Sequence, residues 1–330
     1  MSELGCWVTP DNGAHYFNMA QGGARVMSFV QRLTIDASIK VQTFTVPATV
    51  GYTLFAVPVV TGGVYEDPMS LIPLAQAIQS ITFSGNVVTV TLINDLTRFT
   101  TIPVDNVFEV LIVDIFQASP RGEQQGNSGL YLPDSTYFGG ITDVTKAGLC
   151  VYRATITVNG TWTVPAGVQG RENCTVFANW SSSSVTVEYD SRNKTITTTG
   201  GSVTLKIAIF ANGFTLTIPD RGLYIYNASG VCVFNSIYMP FFLVSTINPS
   251  SGWKDTGIAR PMLPLGVAGA GGAVSNKYMQ MYNTGYRMNG SSVATARGKN
   301  IAYFFTDGWA AGFADANVAM PVLNADHYFS

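Results

Sequence analysis

Little of this sequence is charged. Asp, Glu, Lys and Arg make up 12% of its 330 residues, and the formal net charge is −2. Globular chains carry about 25%, so much of the surface must be covered by neutral polar groups or by other protein, and an oligomer is expected. No cluster of Lys and Arg is present, which argues against binding nucleic acid through phosphate neutralisation. Histidine is limited to His15 and His327, and cysteine to Cys6, Cys150, Cys174 and Cys232. These are too scattered for a zinc site of ordinary ligand spacing, and free buried thiols of a protein made in a reducing cytosol are expected. No run approaches the ~18 apolar residues of a membrane helix. Met1-Ser2-Glu3-Leu4 has neither the basic start nor the apolar stretch of a secretory signal. Nucleophile-elbow, phosphate-loop and dinucleotide fingerprints are missing, and no cofactor is expected.

What the chain does have is alternation and punctuation. Thr186-Val187, Thr195-Ile196-Thr197 and Thr215-Leu216-Thr217-Ile218 alternate with the period that sends successive side chains to opposite sheet faces. Thr, Val and Ile suit a pleated, half-buried surface. Asp11-Asn12-Gly13, Ser84-Gly85-Asn86, Asn159-Gly160, Asn212-Gly213 and Asn289-Gly290 supply tight turns. The fold class expected is all-β, in tandem antiparallel β-sandwich-like units with little helix. The best helical candidate is Pro68 to Gln79, where Leu71, Ile72, Leu74, Ala75 and Ile78 could form a stripe that Pro73 shortens or breaks.

The units are three degenerate repeats. Gly5-Cys6-Trp7 through Phe17-Asn18 aligns without a gap on Gly222-Leu223-Tyr224 through Phe234-Asn235, and a shorter copy begins at Gly129-Leu130-Tyr131. Phe44-Thr45-Val46-Pro47-Ala48 is echoed by Trp162-Thr163-Val164-Pro165-Ala166, with no counterpart read in the third unit. A hairpin recurs around Ser84-Gly85-Asn86, Asp190 to Lys194 and Asn289-Gly290. Closing strands are expected at 107–116, 203–210 and 301–305. This divides the chain into a first unit (1–118), a linker (119–128), a second unit (129–221) and a third (222–330). The third carries a Gly/Ala-rich insertion, Gly266 to Ala273, read as a mobile loop or as backbone tucked against another surface. A C-terminal segment beyond 307 is expected to dock on something.

Catalytic groups are few. Glu66, Asp67, Glu123, Asp134, Asp143, Glu172, Glu188 and Asp220 are the carboxylates from which a glycosidase pair could be drawn, though each also suits a turn or surface role. Asp326-His327 reads as an exposed tail pair. The chain is expected not to be an enzyme. The mixture of aromatic faces with Asp and Asn that binds sugars occurs at Asn179-Trp180 and in Asp307, Trp309, Phe313, Asp315 and Asn317. These are candidate receptor or subunit contacts; for the C-terminal segment the favoured reading is that Trp309 and Phe313 anchor it into the third unit or a neighbouring subunit.

Gly222 to Asn235, with Gly5 to Asn18 and the Ser84-Gly85-Asn86-Val87-Val88-Thr89 hairpin, resembles motifs of small β-rich proteins from the tail tips and tail fibres of long-tailed bacteriophages. The resemblance covers about half of each unit and transfers no catalytic residues. It implies a virion structural protein of the distal tail (tip, baseplate or fibre), made in the host cytoplasm, with other tail proteins as partners. The first unit would attach to the tail, and the third would face the host surface or a neighbouring subunit. A receptor-binding, lectin-like module for bacterial surface glycan or pilus is the alternative, and a glycan-degrading tail enzyme a third reading. One chain with three units can supply pseudo-threefold symmetry alone; a homotrimer is the alternative and the state expected.

Overall fold

A computed structural model describes residues 25–66, 73–93, 110–118, 148–216, 223–227, 229–275, 278–305 and 313–329, with short pieces at 7–8, 17–18, 102–103, 129–130, 141–142 and 218. The fold is all-β: antiparallel strands dominate, and the helical content of the described residues is two short 3₁₀ turns. The linker 119–128 lies outside the described residues.

The same three-strand arrangement occurs three times. In the first unit Leu111–Ala118 lies between Arg25–Ile35 and Thr53–Val60. In the second, Thr195–Ala211 lies between Leu149–Thr163 and Thr175–Asn179. In the third, Met320–Asn324 lies between Ser245–Ile247 and Pro261–Pro264. Residues 301–305, expected to close the third unit, instead extend the hairpin strand Ser292–Phe305. Both segments are apolar, and the choice between them is made by which partner each can reach. The C-terminal segment is therefore no appendage, since its strand sits in the middle of a sheet.

Each unit also carries a hairpin bordered by a further strand. Pro73–Ser84 pairs with Val87–Leu92 and Val41–Thr45 lies outside it, with Phe44 opposite Val88. In the second unit Trp162 stands opposite Ile196, and in the third Lys254 stands opposite Val293. One bond seals each border: Val46 N–H to Asn86 O at 2.9 Å, Val164 N–H to Lys194 O at 2.9 Å, Thr256 N–H to Ser291 O at 3.0 Å. Lys254-Asp255-Thr256 thus performs the role of Phe44-Thr45-Val46 without resembling it. The bonds are made by backbone, which leaves the side chains free to diverge.

The helix expected from Pro68 is overturned at Pro73–Ser84, which is a strand; 68–72 lie outside the described residues. Short apolar runs do not distinguish the two periods, and here a six-residue partner, Val87–Leu92, captures the segment. The Gly/Ala-rich stretch is also strand, Gly269–Ser275, paired with Tyr278–Asn289 and Phe313–Asp315. Its small side chains admit the first unit. Val60 and Val267 form a parallel bridge, Thr61 N–H bonds Val267 O at 2.9 Å, and a Cβ at Gly266 would lie 2.7 Å from the Val59 carbonyl oxygen. Of its two readings, backbone against another surface is the one realised.

The second and third units share one sheet, because Phe177 and Ala178 pair with Pro264 and Leu263, and Val187 pairs with Tyr286. A seam of this kind, built within one chain, binds the units far more tightly than a flexible linker would.

Candidate functional site

The repeats converge on one point. Met27, Gly148 and Phe241 occupy corresponding places at the start of their units, and their backbones form a closed ring. Met27 N–H donates to Phe241 O (2.9 Å), Phe241 N–H to Gly148 O (2.8 Å), and Gly148 N–H to Met27 O (3.0 Å). Such a cycle is what a threefold axis produces when each unit donates to the next. Around it lies a core drawn from all three units: Val26, Met27 and Phe116; Leu149, Phe177 and Phe210; Met239, Phe241, Phe242 and Tyr328. Phe241 is its centre, with ring centroids 5.2 Å from Phe116, 5.0 Å from Phe177 and 5.0 Å from Phe210. Gly148 leaves room for it, since a Cβ there would lie 3.3 Å from the Phe241 ring. Tyr328, 1% exposed, accepts from Phe242 N–H at 3.0 Å and donates to Pro240 O at 2.9 Å.

The repeat motifs form hairpins of matching register. Trp7 pairs with Asn18 and Val8 with Phe17, as Tyr224 pairs with Asn235 and Ile225 with Phe234. The shortened second copy retains a two-pair ladder, Gly129 with Thr142 and Leu130 with Ile141. The third hairpin buries Ile225 and Phe234 in the axial core and turns Leu223, Tyr226 and Val231 outward, Val231 to 57% exposure. Three apolar side chains on a short hairpin beside the axis are the kind of surface that another protein covers.

The candidate sugar contacts fare differently. Trp180 is 3% exposed and belongs to the second core, so it offers no face to a ligand; its indole N–H is buried without a partner. Asp307 and Trp309 lie outside the described residues. Phe313 pairs its backbone with Gly271. Asp315 is partly buried and accepts from Thr295 Oγ at 3.2 Å, and desolvation pushes its carboxyl up. Asn317 is exposed, bonds Asn248 and donates its N–H to Ile78 O at 3.0 Å. Asp315 and Asn317 thus belong to the seam between the first and third units rather than to an open groove. Asp326 is exposed and pairs with Arg260, whereas His327 packs against Phe242 and burial lowers its pKa, so only the aspartate of the expected exposed tail pair is exposed.

Of the candidate carboxylates, Glu172 is exposed beside Arg171 and Lys194. Asp67, Glu123, Asp134, Asp143 and Asp220 lie outside the described residues, as does the side chain of Glu66. Glu188 is 4% exposed, and desolvation pushes its carboxyl up to about 7. Its neighbours Val187 and Tyr189 face the second core, so alternation points Glu188 the other way. That face is covered by the third unit at two glycines. A Cβ at Gly285 would lie 3.2 Å from Glu188 Cβ, and one at Gly298 would collide with the carboxylate. Lys299 N–H donates to Glu188 Oε2 at 3.3 Å. Beside it opens a polar cavity of about 80 Å³ lined by residues of the second and third units. Among the described residues no group of three or more His, Cys, Asp or Glu gathers to hold a metal, and no helix is long and apolar enough to cross a membrane.

Residues 5–306 match the model of a family of unknown function, DUF6453. The chain belongs to this family. No curated protein and no solved structure matches it. The matched span covers all three repeats but stops before Met320–Asn324, the middle strand of the third sheet.

Proposed function

We propose that this DUF6453 member is a bacteriophage virion structural protein of the distal tail, occupying a position of threefold symmetry with a single chain. The observation that carries the reading is the closed ring of Met27, Gly148 and Phe241. Three units that satisfy one another's central backbone bonds have no need of two further copies, which favours one chain over the homotrimer expected from sequence. The resemblance of the three hairpin motifs to tail-tip and tail-fibre proteins supplies the context. Low charge and the outward Leu223, Tyr226 and Val231 supply the surface for neighbouring tail proteins.

Quantitative mass spectrometry of purified virions, with light scattering of the isolated protein, tests the proposal. The expected results are a constant low copy number per particle and a solution mass near 35.4 kDa. Absence from virions overturns the tail assignment, and a stable trimer overturns the single-chain geometry.

A further inference from the structure

We infer that the cavity beside Glu188 is a binding site for the hydroxyl-bearing edge of a sugar or similar polyol. This goes beyond the structural role proposed above and does not depend on it.

Three strands of the second unit build the floor. Thr161 stands opposite Thr197, and Thr197 opposite Glu188, so one row of side chains crosses the sheet on one face. Thr195 and Asp190 form the next row. The third unit closes the cavity with Asn283, Lys299 and Ile301. Asn283 is 7% exposed, yet its amide makes no side-chain hydrogen bond among the described residues, and neither do the hydroxyls of Thr161, Thr195 and Thr197. The Asn283 amide opens onto the cavity, where water or a ligand hydroxyl can partner it.

The mixture of groups selects the ligand. A hard cation wants several anionic oxygens, and the cavity has few to give. Asp190 is already engaged, with Oδ1 accepting from Arg192 and Asn193 N–H at 2.9 and 3.1 Å and Oδ2 from Asn193 Nδ2 at 2.7 Å. One oxygen of Glu188 is taken by Lys299 N–H, and Lys299 brings a positive charge to the same wall. What remains is one carboxyl oxygen, one amide, three hydroxyls and the Lys299 ammonium, a set of both donors and acceptors. Hydroxyl groups are the ligand chemistry that both gives and takes hydrogen bonds in this way. The space of about 80 Å³ has room for several waters, at roughly 10–15 Å³ of such volume for each, which fits adjacent hydroxyls of a ring edge and leaves the rest of the molecule outside.

The test uses the full chain and a defined panel: glucose, galactose, mannose, rhamnose, N-acetylglucosamine and glycerol, followed by saturation-transfer NMR and titration calorimetry. At least one sugar is expected to bind saturably, and Thr197→Val and Asn283→Ala are each expected to weaken it fivefold or more. Thr197→Val is isosteric and half-buried, so it keeps the fold if Asn283→Ala does not. Thermal melting of both variants confirms folding. No saturation transfer from any panel member overturns the inference, as does binding that both folded variants leave unchanged. Stabilisation by calcium chloride alone, lost in the two variants, also overturns it and makes the cavity a cation site.

Discussion

Stability of this protein should fall as pH rises from about 4.5 to about 7, and Glu188 should be the main cause. Burial raises its pKa from 4.5 to about 7, helped by Asp190 and opposed by Lys299 N–H and the Lys299 charge. The folded state therefore holds a proton that the unfolded state releases earlier. Below the unfolded pKa both states are protonated and nothing is lost. Between the two pKa values the unfolded state ionises while the folded state stays protonated, so stability falls from about pH 4.5 to 7 and levels off above it. A tenfold change in the ionisation constant is worth about 1.4 kcal/mol, so the full penalty is about 3 kcal/mol, with about 1 kcal/mol already present at pH 5. Glu188→Gln keeps the shape and an acceptor for Lys299 N–H but cannot ionise. Denaturant unfolding of both proteins at pH 5, 6, 7 and 8 should show their difference widening in favour of the variant up to about pH 7 and levelling off beyond it. Comparing the two cancels other titrating groups, Asp315 included. Parallel pH profiles would refute the argument, because they would mean that Glu188 ionises in the folded state without cost.

Other predictions follow from the axis, the ion pairs and the surface. Phe241→Ala should destabilise by about 3–5 kcal/mol, read as a shift of the denaturation midpoint, since it empties the point where Phe116, Phe177 and Phe210 meet. Arg32 holds the buried Asp114 in a two-pronged pair at 2.7 and 2.9 Å and also reaches Asn173 Oδ1 of the second unit. Arg32→Ala leaves that carboxylate uncompensated and should cost about 3–5 kcal/mol, whereas Arg32→Ala with Asp114→Asn should recover part of it. Val231→Asp should leave melting within about 0.5 kcal/mol of the parent, as for exposed sites generally, while, on the proposed tail role, reducing incorporation into virions; unchanged incorporation would remove the third hairpin from the proposed assembly surface.

How much of this was legible in the chain follows a physical line. Alternating Thr, Val and Ile with Asn-Gly turns determined an all-β fold, because both signals are local. Repetition was legible wherever side chains carry it: Trp7 and Tyr224, Phe17 and Phe234, Val46 and Val164, each pair in matching structural places. It vanished at Lys254-Asp255-Thr256, where only backbone bonds are kept and any side chain serves. The closing strand of the third unit was misplaced because 301–305 and Met320–Asn324 are both apolar, and only long-range pairing decides between them. The same holds for exposure. Alternation correctly set Glu188 on the face opposite Val187 and Tyr189, which by itself reads as solvent. The tertiary structure reversed that meaning by laying Gly285 and Gly298 over Glu188, just as it placed Trp180 in a core shared by the second and third units. Sequence determines which way a side chain points; what lies there is decided by a segment a hundred residues away.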